Sequence, residues 1–324
     1  MFSRPKHFFI YALLSTLTLA GVGGCRKDVE TFRPYPPTLD AIQQMLGQVP
    51  DGSTQTTFSL NAVTDDKVLV TPAGVRVFLT DPDNLFHDAN GNPVPCSTCQ
   101  TLRVEVTDVL DKSNIIAYGV PTTATGGALL ESGGMVRIRV YCDDKPLELL
   151  NDRTLKIQIP AVNPADDMTI FSGVMSSDSF LSWDNTGIPV FQAEWQNASL
   201  EVVSGYELLS PHLGWINADR FVNEPATSFC VDMPENFNPQ NTTAYMVVKD
   251  LRSVAFLEYN VAERTFCTQN APIGFPVRIV TVSQTADGQN WLGNHETEIG
   301  TDGTVSVEPK KVSTQQVLNF LKSL

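Results

Sequence analysis

The residues of this 324-residue chain that could do chemistry are six cysteines, four histidines and several clustered carboxylates. Cys96-Ser97-Thr98-Cys99 spells C-x-x-C. That spacing serves redox chemistry when a helix N-terminus lowers a thiol pKa, and zinc when two further ligands stand nearby. Pro93 and Pro95 place the motif in a loop without such partners, so a disulfide staple is the expected use. Cys230 and Cys267 are the only cysteines in the C-terminal half and are expected to bridge each other. Among Cys96, Cys99 and Cys142 one is left over unless it pairs between molecules. Asp81, Asp83, Asp88, Asn90 and Asn92 alternate as calcium ligands would. Asn90-Gly91 and Asp81-Pro82 are turn signals, however, and the glutamate of an EF-hand loop is missing, so turns are expected and no metal or cofactor.

No catalytic residues are expected, and the chain is not expected to be an enzyme. His295 lies in Asn294-His295-Glu296-Thr297-Glu298, which lacks the second histidine of a metalloprotease helix. A G-x-S-x-G elbow, a phosphate loop and a dinucleotide fingerprint are all absent. Asp143-Asp144 and Asp166-Asp167 read as solvated loop charges, and Asp219 beside Arg220 suits an ion pair as readily as a site. Trp183, Trp195, Tyr206 and Trp215 crowd a polar stretch. Exposed, they would form a stacking platform for sugar rings; buried, they would join two domains, the favoured reading because tryptophan is highly buried on average.

The elements that must position these residues are mainly strands. Phe58–Val63, 67–70, 75–79, 102–106 and 155–159 alternate apolar with polar, and Met135–Tyr141 puts Val136, Ile138 and Val140 on one face and Arg137 and Arg139 on the other. Strands recur at 244–248, 254–257, 277–282 and 304–307. The 21 glycines and 21 prolines supply turns between them. The expected fold is all-β: two antiparallel β-sandwich domains in tandem with short N- and C-terminal helices. Residues 38–56 form a helix, capped by Thr38, and a linker; residues 57–170 form the first sandwich, 171–225 an aromatic-rich connecting segment, and 226–324 the second sandwich with a terminal helix capped by Ser313. A net charge of −14 argues against a nucleic-acid partner, which needs clustered Lys and Arg.

The address comes from the start of the chain. Arg4 and Lys6 precede an apolar run, Phe8 to Ala20, that is too short to span a membrane, and small residues lead to Cys25. Val22-Gly23-Gly24-Cys25 resembles a bacterial lipobox. The resemblance implies a signal peptide over 1–24, a diacylglyceryl group with palmitate-type acylation on Cys25, and a membrane partner held through that lipid. Arg26-Lys27-Asp28-Val29-Glu30 resembles the signal that sends Bacteroidota-type lipoproteins to the outer face of the outer membrane, with Val29 interrupting the acidic pair. Cell-surface exposure is thus expected, with the periplasmic leaflet as the alternative. Residues 25–37, ending in Tyr35-Pro36-Pro37, form a stiff tether.

Thr71-Pro72-Ala73-Gly74, Phe86–Val94, Leu130–Ile138 and Ile157–Pro160, with Leu213–Phe221 further on, are similar to segments of uncharacterised Bacteroidota lipoproteins, and more distantly to the β-sandwich of ankyrins and netrin receptors. Such domains are interaction modules. The resemblance implies an envelope lipoprotein that presents its sandwiches to an unknown protein partner without catalysis. The alternative is a surface lipoprotein that binds glycan through Trp183, Trp195, Tyr206 and Trp215.

Overall fold

Period-two alternation broken by glycine and proline yields twenty-two strands and three short α-helices among the described residues. The computed structural model describes residues 38–50, 54–176, 179–301 and 303–324. The leader, Cys25 and the tether lie outside the described residues.

The first thirteen strands are β1 (Gln55–Leu60), β2 (Lys67–Val70), β3 (Arg76–Leu79), β4 (Phe86–His87), β5 (Leu102–Val109), β6 (Leu130–Cys142), β7 (Lys145–Leu149), β8 (Leu155–Pro160), β9 (Thr169–Ser176), β10 (Ser179–Pro189), β11 (Phe191–Gln196), β12 (Val202–Ser210) and β13 (Gly214–Phe221). They form two sheets: sheet I in the order β1-β5-β6-β13-β9-β10, with β7 and β4 added beside β6, and sheet II in the order β11-β12-β8-β3-β2. On β6, Val136, Ile138 and Val140 point inward, and β5 opposes them with the pairs Val104↔Val140 and Val106↔Ile138. Val77, Leu79, Ile157 and Leu208 of sheet II close the same core. The chain changes sheets between β10 and β11, where the Val190 amide donates to the Met168 carbonyl at 2.9 Å.

The second sandwich comprises β14 (Ala226–Asp232), β15 (Thr242–Val248), β16 (Ser253–Phe256), β17 (Glu258–Asn260), β18 (Thr265–Pro272), β19 (Pro276–Gln284), β20 (Asn290–Glu298), β21 (Gly303–Ser306) and β22 (Lys310–Val312). Sheet III runs β17-β18-β14-β21 and sheet IV β16-β15-β19-β20-β22. Every pairing is antiparallel except β14 with β21. Phe229, Val231, Met246, Val248 and Ile279 fill its core.

A third core lies between the sandwiches. Tyr245 and Val247 of β15, with Val280 and Val282 of β19, leave sheet IV on the side opposite its own core and meet Val109, Met135, Phe171, Trp183 and Trp215 from the outer side of sheet I. β15 is apolar on both faces for this reason, reading as a continuous run where a half-exposed strand would alternate. Three helices complete the seam: α1 (Leu39–Leu46) through Ile42, Met45 and Leu46, α2 (Lys112–Tyr118) through Ile115 and Ile116, and α3 (Thr314–Leu321) through Val317, Leu318 and Leu321. Each such side chain, fully buried, contributes about 1.5–3 kcal/mol.

Three local expectations differ from the structure. Thr38 makes no side-chain cap; its hydroxyl donates instead to the Gln284 carbonyl at 2.6 Å, pinning α1 to sheet IV. Helix α2 was not expected, although Asp111 caps it through the Asn114 amide and Gly119 ends it at φ +65. The stretch 171–225 is more than a connector: from β9 to β13 its strands supply three members of sheet I and two of sheet II, so the first sandwich runs on to Phe221. Terminal helix α3 carries the expected Ser313 cap, which Gln316 completes as a capping box.

Candidate functional site

The four aromatic residues proposed as a sugar platform are all buried. Trp183 is fully enclosed in the seam, its indole N–H donating to the Pro121 carbonyl at 2.8 Å, and Trp215 meets it edge-on at 6.4 Å. Tyr206 faces the first core and its hydroxyl accepts from the Ala165 amide at 2.6 Å, while burial raises its pKa. Its ring lies so close to Gly133 that a Cβ there would meet it at 2.5 Å. Trp195 lies on Gly205 of the neighbouring strand, where a Cβ would meet the indole at 2.6 Å. The platform reading is therefore corrected: Trp183 and Trp215 join the sandwiches, and no two of the four rings offer a face to a sugar.

The cysteines are placed as follows. Cys230 and Cys267 are bonded, as directly opposed residues of β14 and β18. Cys99 leaves the C-x-x-C motif to bond Cys142, joining the start of β5 to the end of β6, where the backbone registers Leu102 against Cys142. Cys96 is the free thiol, buried, with its pKa pushed up to about 12 by that burial and by the nearby Asp83. An unpaired thiol so protonated is a poor nucleophile. The acidic loop beside it folds on itself: Asp83 accepts from the Ser97 amide at 2.8 Å and hydroxyl at 2.9 Å, and Asp88 accepts from the Asn90 and Asn92 amides, both at 2.9 Å. Those bonds hold the Asp88 carboxyl below its usual range.

Asp219 does not pair with Arg220, which binds Glu131 at 2.7 Å instead. Asp219 is fully buried at the rim of the seam, accepting from the Asn217 side-chain amide at 2.6 Å. Burial lifts its pKa well above the usual carboxylate range against the opposing pull of Ser132 and Arg252. Arg252, from the second sandwich, donates to the Gly133 carbonyl at 2.8 Å, so this cluster fastens the two sandwiches. Asp108, on β5, is 2% exposed, and burial raises its carboxyl to about 6 with Thr71 opposing.

With one side of sheet I and one side of sheet IV sealed against each other, the outer face of sheet II is left to solvent. It carries Val68 (45% exposed), Val70 (52%), Leu209 (40%) and Phe191 (54%), side chains that a solvated sheet face does not need. Register explains how they share one face: Leu69, Val77, Ile157 and Leu208 point inward, so their neighbours point out, and Phe191 stands opposite Glu207. Polar residues run between the apolar ones. Lys156 pairs with Glu207 at 2.8 Å, Gln158 donates to Glu207 at 2.8 Å, and Arg76 donates to Gln158 at 2.9 Å. The cations of Arg76 and Lys156 sit 5.1 and 4.9 Å from the Phe78 ring centre. These hydrogen bonds hold the polar strip in one conformation. The periodicity that found the strands does contain this signal, since Lys67–Val70 and Arg76–Leu79 put apolar residues on both faces of an outer pair of strands.

A separate cleft of about 770 Å³ opens at one end of the first sandwich and carries His87, Glu148 and His212. The His87 Nδ1 donates to the Asp88 carbonyl at 2.7 Å.

No protein-family profile and no curated protein matches the chain. Among solved structures, it is similar to the crystal structure of a gamma-CGTase from alkalophilic Bacillus clarkii, with 11% identity over 76% of this chain and a TM-score of 0.20. The alignment covers 41% of that protein's length. The expectation that the chain is not an enzyme is withdrawn, since this likeness, to a cyclodextrin glycosyltransferase, establishes activity neither way. At that TM-score the likeness carries no argument about activity.

Proposed function

We propose that this chain is a lipid-anchored envelope protein that docks another protein on the outer face of sheet II. The observation that carries the reading is the set of exposed apolar residues Val68, Val70, Phe191 and Leu209 on one sheet face. Such a patch, threaded with hydrogen-bonded polar groups, is the composition of a protein interface, where apolar anchors supply affinity and ordered charges supply register. The two cations Arg76 and Lys156 against the single anion Glu207 fit a partner that brings apolar side chains and a carboxylate. The seam supports the reading as well, since it holds both sandwiches in one geometry and leaves this face clear of the second. Attachment to the outer membrane through Cys25, with Lys27, Asp28 and Glu30 directing the protein to the cell surface, rests on the sequence alone.

The test is comparative capture from detergent-solubilised outer membrane, read by mass spectrometry. Wild-type protein and a Val70→Glu, Phe191→Ser variant of unchanged circular dichroism are used side by side. A partner retained by wild type and lost by the variant supports the docking face; equal capture by both contradicts it. For the anchor, a Cys25→Ala protein that still fractionates with the membrane after a high-salt wash contradicts the lipid reading.

A further inference from the structure

Of the two outer sheet faces that the seam leaves free, that of sheet III carries the Cys230–Cys267 bond, and Glu263 from the turn between β17 and β18 stands beside it. One carboxylate oxygen and both sulfurs lie within 4.8 Å of one another. Cys267 is buried, Cys230 half-buried and Glu263 exposed, so the group opens to solvent on one side. Asn260 holds the turn in place by accepting from the Ala262 amide at 3.0 Å and the Glu263 amide at 3.3 Å. The Thr265 hydroxyl, 3.2 Å from the Cys267 sulfur and itself buried, is a donor to that sulfur.

From this arrangement we infer that Cys230, Cys267 and Glu263 form a zinc-class metal site that the disulfide closes and reduction opens. A dithiol reductant delivers two electrons and two protons to the S–S bond, giving two thiols and an oxidised dithiol. A divalent zinc-type cation then displaces both thiol protons and binds two thiolates and the Glu263 carboxylate, leaving a fourth position for water. The thiols cannot drift apart on reduction, because β14 and β18 pair on both sides of them in one register from Phe229↔Thr268 to Asp232↔Thr265, and β14 is also held by β21. Directly opposed side chains on neighbouring antiparallel strands keep their Cβ atoms about 4.5–5.5 Å apart, near enough for one tetrahedral ion to bridge the sulfurs. The Thr265 hydroxyl supplies the hydrogen bond that orients a ligating thiolate. Cys96 is buried and held protonated, and Cys99 and Cys142, which the same reductant frees, have no third ligand beside them among the described residues, where the one such group is Cys230, Glu263 and Cys267.

The experiment titrates cobalt(II), as a spectroscopic stand-in for zinc, into anaerobic protein reduced with dithiothreitol and then desalted. The expected result is one cobalt per chain with a thiolate-to-cobalt charge-transfer band that zinc abolishes, in reduced wild type and not in oxidised protein. Cys230→Ser removes the band. Glu263→Gln keeps both thiols and the fold and weakens binding by at least about tenfold, since loss of a ligand must cost no less than loss of a supporting hydrogen bond. Absence of the band in reduced wild type, its persistence in Cys230→Ser, unchanged affinity in Glu263→Gln, or loss of the native circular dichroism on reduction alone would each overturn the inference.

Discussion

Sheets I and II arise from the same alternation, yet one has an outer side that is largely sealed and the other is open. On the sealed side Met135, Phe171, Trp183 and Trp215 stand together, and three helices and sheet IV cover them. On the open side Val68, Val70 and Phe191 are interleaved with Arg76, Lys156, Gln158 and Glu207. The difference teaches that charge placement, more than apolar content, decides which sheet face is buried. Sealing sheet II would desolvate a salt bridge and a hydrogen-bonded strip, at a cost that apolar contact repays only with good geometry. Where the seam does enclose charge, at Asp219 and Arg252, burial perturbs both groups, raising the carboxyl and lowering the guanidinium.

Substitutions on the two faces should therefore differ sharply. Trp183→Ala empties the middle of the seam and is expected to cost about 3–5 kcal/mol, measured by urea unfolding followed by circular dichroism. A loss under about 1 kcal/mol would erase the contrast. Inside the first sandwich, on the same face of β5 as Val104 and Val106, burial holds Asp108 at about 6, above the roughly 3.9 of an unfolded aspartate, so the native state keeps a proton that the unfolded state releases. Stability is therefore expected to fall as pH rises from about 4 to about 6, and to level off above that. Asp108→Asn should flatten this slope, by up to about 3 kcal/mol across the window, read from denaturation midpoints at several pH values. A mutant that keeps the wild-type slope would assign the effect to another group. Val70→Thr, on the open face, should change stability by less than about 0.5 kcal/mol. A larger loss would mean that the face is covered in the free protein.

How much of this was legible follows from how local each signal is. The inward set Val136, Ile138 and Val140 was readable because a strand with one polar face declares its period within seven residues. Ser313 with Gln316 declared α3 just as locally. Helix α2 carries local signals in Asp111, Asn114 and Gly119, but at seven residues it is too short for its apolar period to repeat. The seam was not legible. Tyr245 and Val247 look like ordinary strand residues until sheet I arrives against them, and that contact reaches as far back in sequence as Val109 and Met135. The strands from β9 to β13 escape a local reading because their pairing is nonlocal: β13 and β12 sit inside their sheets against β6 and β8, which lie well upstream in sequence. The open face follows from the same nonlocal fact: only after the seam claims the outer side of sheet I does sheet II become the surface that remains.

The claim that the seam welds the sandwiches while leaving sheet II free is tested most directly by scanning calorimetry of residues 38–324. Shared burial of Trp183, Tyr245, Val280 and the three helices makes separate melting of either sandwich expose this core, so one transition with equal calorimetric and van't Hoff enthalpies is predicted. Two resolved transitions, each assignable to one sandwich, would contradict it.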